Sequence, residues 1–202
     1  MNTLFEPEKI IETDFSFHDL FESITLKSEK NEYPLNILLN EFDTPIGKMI
    51  YGVTNEGICL LDFNIAQRIE SDLRILKIKL KANFQFGYNE LSRILEVQVN
   101  EYFLGNRKIF NLPLITQGSI FQNKIWNLLR NIEFGHTISY KKEAILINDI
   151  NSIRAVARAN SQNRISIIIP CHRVIGENGS MTGYGGGIWR KKWLLDFEEN
   201  NM

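Results

Sequence analysis

Thr116-Gln117-Gly118-Ser119-Ile120-Phe121-Gln122 divides the chain into two kinds of sequence. Ser119 and Gln122 have the spacing of a capping box, in which the Ser hydroxyl satisfies the amide three residues on and the Gln side chain reaches back. Behind them Phe121, Ile125, Leu128 (or Leu129) and Ile132 recur at helical spacing. Lys141–Leu146 reads as a second short helix. Asn148-Asp149-Ile150-Asn151 is a polar turn, and Ser152 is placed to cap a helix running to about Asn160. Helix, tight turn, helix is the outline of a helix-turn-helix, with a plain αα-hairpin as the commoner alternative.

Working back from the junction, the pattern changes period. Phe110–Leu114 reads as a short strand. Before it Leu91, Ile94, Leu95, Val99 and Tyr102 line one face of a helix that begins at Glu90 and is closed by Gly105, with the polar Gln98 interrupting the stripe. Residues 66–82 have a rough helical period. Ile37-Leu38-Leu39, Lys48–Val53 and Ile58–Phe63 are strand-forming runs separated by Thr44-Pro45-Ile46-Gly47 and Asn55-Glu56-Gly57, the marks of a β-meander. Residues 1–34 show no clear period and read as a leader and linker.

The 202 residues are 44% hydrophobic and 23% charged, which excludes a disordered tail, a collagen-like fibre and a disulfide scaffold. No apolar run approaches the ~18 residues of a membrane span, and the opening MNTLFEPEKIIETDF lacks a signal peptide's apolar core. With Cys59 and Cys171 as the only cysteines, a reducing cytoplasm is expected. Cutting at Leu112/Pro113 leaves 11 Lys+Arg against 7 Asp+Glu in the C-terminal piece (net +4) and 12 against 17 in the N-terminal piece (net −5). That asymmetry hints at a polyanion surface on the second half.

Ile167-Ile168-Ile169-Pro170-Cys171-His172-Arg173-Val174-Ile175-Gly176 carries the chemistry. Cys59, inside Gly57-Ile58-Cys59-Leu60-Leu61, reads as an inert core thiol. Cys171 differs because His172 and Arg173 beside it are expected to lower its pKa. A thiolate is a soft, strong nucleophile, which needs a base, and the base an orienting group. His172 is the nearest base, although neighbours in an extended segment point to opposite sides, so a bridging water is expected. Trp189–Glu199 is an amphipathic helix offering Asp196, Glu198 and Glu199 as the third member, and spacing does not choose among them. Arg154 and Arg158, interleaved with Ala155, Ala157 and Ala159, suit close approach to a nucleic-acid groove or else form a solvated face. Met181-Thr182-Gly183-Tyr184-Gly185-Gly186-Gly187 suits close approach of a flat ligand, or is a flexible loop.

From about Leu35 to Glu199 the sequence resembles the O6-alkylguanine-DNA alkyltransferases, the methylated-DNA–protein-cysteine methyltransferases. The likeness rests on Phe121-Gln122 with Trp126, Ile138-Ser139-Tyr140, Arg154-Ala155-Val156, Asn163, Pro170-Cys171-His172-Arg173-Val174, Gly183-Tyr184, Gly186-Gly187 and Trp193-Leu194-Leu195. The resemblance implies an α+β, two-domain fold. Residues 35–115 would form a ribonuclease-H-like α/β domain of largely structural role, and residues 116–202 a mostly helical DNA-binding and alkyl-acceptor domain with a winged helix-turn-helix. It implies direct-reversal repair, in which the damaged base is flipped from the duplex and its O6-alkyl group passes irreversibly to Cys171. By the same resemblance His172, through a water, and Glu198 activate the thiol, and Asn163 supports its turn. Arg154 fills the vacated stack, with Ala155 and Arg158 on the DNA-binding face. Tyr140 crowds the flipped nucleotide's phosphate and bonds the base, and Val174, Tyr184, Gly185 and Gly186 form the base pocket.

No cofactor is implied, the partner is duplex DNA containing O6-alkylguanine, and the protein is expected to be a cytoplasmic monomer away from membranes. Some relatives hold zinc in the N-terminal domain. With Cys59 and His18 as the only candidates here, no metal site is expected. Arg164 stands where many relatives have Pro, an added positive charge expected close to the DNA. A non-catalytic damage sensor of the alkyltransferase-like type lacks the nucleophile that Cys171 provides. A Cys-His hydrolase would leave the paired arginines unexplained.

Overall fold

The computed structural model describes residues 16–26 and 33–202, so most of the expected leader lies outside the described residues. The part inside it forms α1 (Phe17–Leu26), which buries Phe17 and Leu20. Strands β1 (Leu35–Phe42), β2 (Met49–Val53) and β3 (Ile58–Phe63) form the antiparallel meander. β4 (Ala82–Phe86) adds parallel to β1, giving the order β3-β2-β1-β4. The helical period read over 66–82 ends earlier: α2 (Ala66–Leu80) stops at Lys81, whose φ of 48° turns the chain directly into β4.

The two-residue period of the strands sends alternate side chains to opposite faces. Ile37, Leu39, Ile50 and Leu60 pack with Ile69, Leu73 and Leu76 of α2. Met49, Tyr51, Val53, Leu61 and Phe63 face the other way, into a core shared with Leu95, Val99 and Tyr102 of α3 (Glu90–Phe103). That second core runs without a break past residue 116, taking in Ile125, Trp126 and Leu129 of α4 (Ile120–Leu129), Val156 of α6 (Ile153–Ser161) and Leu194 of α7 (Ile188–Asn200). β5 (Ile138–Ser139) leads into α5 (Tyr140–Leu146), and β5 pairs in parallel with β6 (Val174–Ile175). The result is an α+β fold with a mixed sheet. Among the described residues no helix is long and apolar enough to cross a membrane.

Local chemistry accounts for the boundaries. At α4 the Ser119 hydroxyl accepts from the Gln122 amide at 3.2 Å and Gln122 Oε1 accepts from the Ser119 amide at 2.7 Å, the expected capping box. Ser152 occupies the N-cap position of α6 but caps nothing, because its hydroxyl donates to the Asp149 carbonyl at 2.7 Å. Phe110–Leu114 is not a strand. Gln98, the polar break in the α3 stripe, clamps Asn111 through both its backbone groups, and the rest of the segment only touches β3 through the Ile58–Leu114 bridge.

β3 has a second neighbour on its open edge. The Leu61 amide donates to the Arg164 carbonyl at 2.9 Å, and the Ser166 amide donates back to the Leu61 carbonyl at 2.7 Å. The sheet thus grips the chain five residues before Cys171.

Candidate active site

The segment from Asn163 to Arg173 is a knot of tight turns, and Pro170-Cys171-His172 lies in a buried turn. Ile167 sits at φ 71°, a region that costs a β-branched residue about 1–3 kcal/mol, and the Ile168 amide donates across it to the Ser166 carbonyl at 2.8 Å. Pro170, at φ −83° and ψ 62°, is bridged in the same way by the Cys171 amide and the Ile169 carbonyl at 2.8 Å. Cys171–Arg173 then forms one 3-10 turn. Asn163 sits at the centre of this knot. Its Oδ1 accepts from the Ile165 amide at 3.0 Å, and its Nδ2 lies 2.8 Å from the Ile169 carbonyl and 3.3 Å from Cys171 Sγ.

Cys171 keeps 9% of its surface exposed. Burial pushes its thiol up, and the Asn163 hydrogen bond and the charges of Arg68 and Lys191 pull against that without reversing it. The expectation of a thiol lowered by its sequence neighbours is therefore corrected. Arg173 is turned away from the sulfur. Its Nε and Nη2 fork onto the two oxygens of Glu198 at 2.9 Å each, and its Nη1 bonds the Ile132 carbonyl at 2.6 Å.

Of the three candidate acids, only Glu198 is buried. Asp196 pairs with Lys192 at the surface, and Glu199 is exposed. Glu198 accepts from His172 Nε2 at 2.8 Å, from the Tyr102 hydroxyl at 2.7 Å and from the Gly135 amide at 3.1 Å, besides Arg173. Burial opposes its charge, but His172 and Arg173 outweigh it and hold the carboxyl well below the usual range. His172 is itself lowered, chiefly by burial and despite Glu198. The Arg173 fork gives Glu198 a fixed cation whatever the state of the imidazole. An ionised partner at Nε2 assigns the proton to that nitrogen. Nδ1 is then the basic atom, and it is buried with no partner among the described residues. Tyr102 and Gly135 were not read as site residues from the sequence: Tyr102 stood out only in the core stripe on α3, and Gly135 not at all. Arg173 was read as a cation acting on the thiol, not as the partner of Glu198.

The remaining candidates fall into two groups. Tyr140 opens α5, and its hydroxyl donates to the Thr182 carbonyl at 3.1 Å. Val174 is fully buried, and its carbonyl accepts from the buried Lys191 Nζ at 2.6 Å. Tyr184 sets its ring edge-on to His172 at 6.5 Å and to Phe63 at 6.4 Å. Gly185 and Gly186 do serve close approach, but of protein side chains: a Cβ at Gly185 would lie 2.2 Å from the Arg68 guanidinium, and one at Gly186 2.5 Å from the Phe63 ring. Arg154, Ala155 and Arg158 stand together on the exposed side of α6.

Arg164 departs from expectation. It is buried and pairs with Asp72 of α2 at 3.0 Å, so its charge ties the two parts of the chain together instead of facing outward. A cavity of about 730 Å³, lined by Lys108, Phe110, Arg130, Phe134, Ile168 and Pro170 among others, lies beside the knot and does not include the thiol. Among the described residues no cluster of three or more His, Cys, Asp or Glu side chains is placed to hold a metal.

The family model described as 6-O-methylguanine DNA methyltransferase, DNA binding domain, matches residues 120–200. A methylated-DNA–protein-cysteine methyltransferase of Methanosarcina barkeri is 39% identical over 161 residues, covering 79% of this chain and 96% of that protein. One of Shigella flexneri is 37% identical over 169 residues, covering 81% and 96%. Among solved structures, Mycobacterium tuberculosis OGT in complex with DNA superposes with a TM-score of 0.68 at 32% identity, covering 81% of this chain and 93% of that one.

Proposed function

Since the chain belongs to the methylated-DNA–protein-cysteine methyltransferase family, we propose that it repairs O6-alkylguanine in duplex DNA by a single irreversible transfer of the alkyl group to Cys171. Direct reversal by alkyl transfer to cysteine is the family's activity, and this chain carries it out. The observation that supports this acceptor best is the buried series Arg173–Glu198–His172, which holds the imidazole by Nε2 in the same 3-10 turn as the thiol.

His172 Nδ1 draws the proton from Cys171 through a water, and the sulfur attacks the alkyl carbon in line. The S–C bond forms as the C–O6 bond breaks, and the proton returns to the guanine ring. The thioether that remains has no group that water displaces, so each molecule acts once. Asn163 aims the sulfur through its 3.3 Å contact. The base reaches it only when flipped from the duplex. Arg154 enters the stack in its place, Ala155 lets the α6 backbone approach, and Arg158 holds phosphate. Tyr140, Val174 and Tyr184 enclose the base together with the backbone of Gly185 and Gly186, whose side-chain positions are taken up by Arg68 and Phe63.

In this reading residues 35–115 are a ribonuclease-H-like domain, and residues 116–202 carry a winged helix-turn-helix built on α5 and α6. The protein works as a cytoplasmic monomer without a cofactor. Incubation with a duplex carrying one O6-methylguanine tests it. The intact mass should rise once, by the mass of one CH2, and Cys171→Ala should not change. An unmodified wild-type protein that still binds the duplex would refute the transfer.

A further inference from the structure

α2 lies outside the half of the chain that carries the thiol, yet it sends one side chain into the site. Arg68 is anchored by Asp62, whose other oxygen accepts from the Phe63 amide and the Ser166 hydroxyl, each at 2.9 Å. From that anchor Nη2 donates to the Asn163 carbonyl at 2.5 Å and Nη1 to the Ser161 carbonyl at 3.1 Å. The guanidinium also lies so close to Gly185 that a Cβ there would stand 2.2 Å from it. One planar cation thus touches the end of α6, the residue that bonds the sulfur, and the glycine-rich loop.

Taking Cys171 as the alkyl acceptor, we propose that Arg68 is a positioning residue of the reaction, holding the Asn163 turn and the Gly185 loop in the register that aims Cys171 at the base. The geometry demands Arg rather than Lys. Three acceptors, Asp62, Asn163 and Ser161, take three separate N–H groups of a rigid fork, which a single ammonium on a flexible stem does not reproduce. Arg68 is also electrostatically felt at the thiol. The charged groups acting there are Arg68 from α2, Asp62 from β3 and Lys191 from α7, and Arg68 favours the thiolate. The N-terminal half is then part of the reacting apparatus rather than a support for it.

The test compares wild type, Arg68→Lys, Arg68→Met and Cys171→Ala in full-length protein. Three measurements are made: single-turnover methyl transfer from an O6-methylguanine duplex, the pH profile of Cys171 alkylation by iodoacetamide read on the Cys171 peptide, and thermal melting. Arg68→Met is expected to lower the transfer rate by about 10- to 100-fold and to move the alkylation midpoint to higher pH. Arg68→Lys is expected to keep the midpoint near that of wild type while still losing rate. Rates and midpoints equal to wild type in both variants would overturn the role. If Arg68→Met does not fold, Arg68→Lys alone decides: unchanged transfer overturns the proposal, and slowed transfer at an unchanged midpoint supports it. If wild type itself takes up no methyl group, the failure belongs to the assignment of Cys171 and not to Arg68.

Discussion

Glu143→Gln should remove a pH dependence built into the helix pair that carries Arg154 and Arg158. Glu143, on α5, is fully buried and accepts from Asn160 Nδ2 of α6 at 2.7 Å. Its other oxygen and Asn160 Oδ1 are both buried without a partner among the described residues. Burial pushes the carboxyl up from 4.5 to about 7, against the Asn160 hydrogen bond. A carboxyl with a raised folded-state pKa binds its proton more tightly when folded. Its stabilising contribution is therefore complete below pH 4.5 and is lost as pH rises through about 7. At 1.36 kcal/mol per unit, the interval amounts to about 3 kcal/mol, a large part of the roughly 5–15 kcal/mol that holds a domain folded. A glutamine has the same shape and no charge to bury. Urea unfolding of both proteins from pH 5.5 to 8 is the assay. Asp72, also raised to about 7 by burial and by Asp62, titrates in the same window, so the quantity to follow is the difference between the variant and wild type. That difference should grow with pH in favour of Glu143→Gln, by about 2–3 kcal/mol at pH 8. A difference that stays flat across the range would refute the reasoning.

Arg173→Met leaves Glu198 buried without its cation, and should cost about 3–5 kcal/mol of stability in denaturant unfolding, together with slowed modification of Cys171. Gly185→Ala places a methyl group where the Arg68 guanidinium lies. It should slow single-turnover transfer without altering DNA affinity in a fluorescence titration. Arg154→Ala should retain reaction with free O6-benzylguanine and lose most of it on duplex DNA; equal loss on both would remove its role in the stack. Arg154→Ala and Arg158→Ala should each reduce the slope of log affinity against log salt if their charges meet phosphate, by about one per contact.

Local signals were read well from the sequence, and distant pairings were not. The Ser119–Gln122 box, the meander turns and the α3 stripe depend on residues within a few positions of one another, so periodicity and capping chemistry expose them. β4 was missed because a five-residue strand paired to β1 has no boundary signal of its own, and Lys81 enters the left-handed region without a glycine to mark it. Cys171, His172 and Asn163 stood out by residue type or by resemblance. The choice of Glu198 over Asp196 and Glu199 required the resemblance, because what separates them in the structure is burial against Tyr102, 96 positions away. Arg173 was legible as a cation but not in direction: the 3-10 turn sends adjacent side chains to different neighbours, where an extended segment would only alternate them. Arg68 carried no signal at all, and Arg164 stood out only as a replacement for Pro with its charge assigned to the wrong side, since the partners of both lie across the chain.

The direction of the thiol shift fits a reagent that acts once. A low-pKa cysteine is reactive at rest, and its exposure to oxidants and stray electrophiles rises with its thiolate fraction. Cys171, held up by burial, stays protonated while idle, and 9% exposure limits access further. For an enzyme that turns over, a lost active-site thiol costs every later cycle; for a stoichiometric acceptor, any side reaction costs the whole molecule. A thiol of higher pKa also gives an intrinsically stronger nucleophile once its proton is gone. In the mechanism proposed above the site divides the work: burial keeps the sulfur quiet, and His172, held by Glu198 and through it by Arg173, would take the proton when an alkyl carbon stands in line. Lowering the thiol by adding a surface-facing cation would raise reactivity toward small electrophiles and shorten the useful life of the protein together.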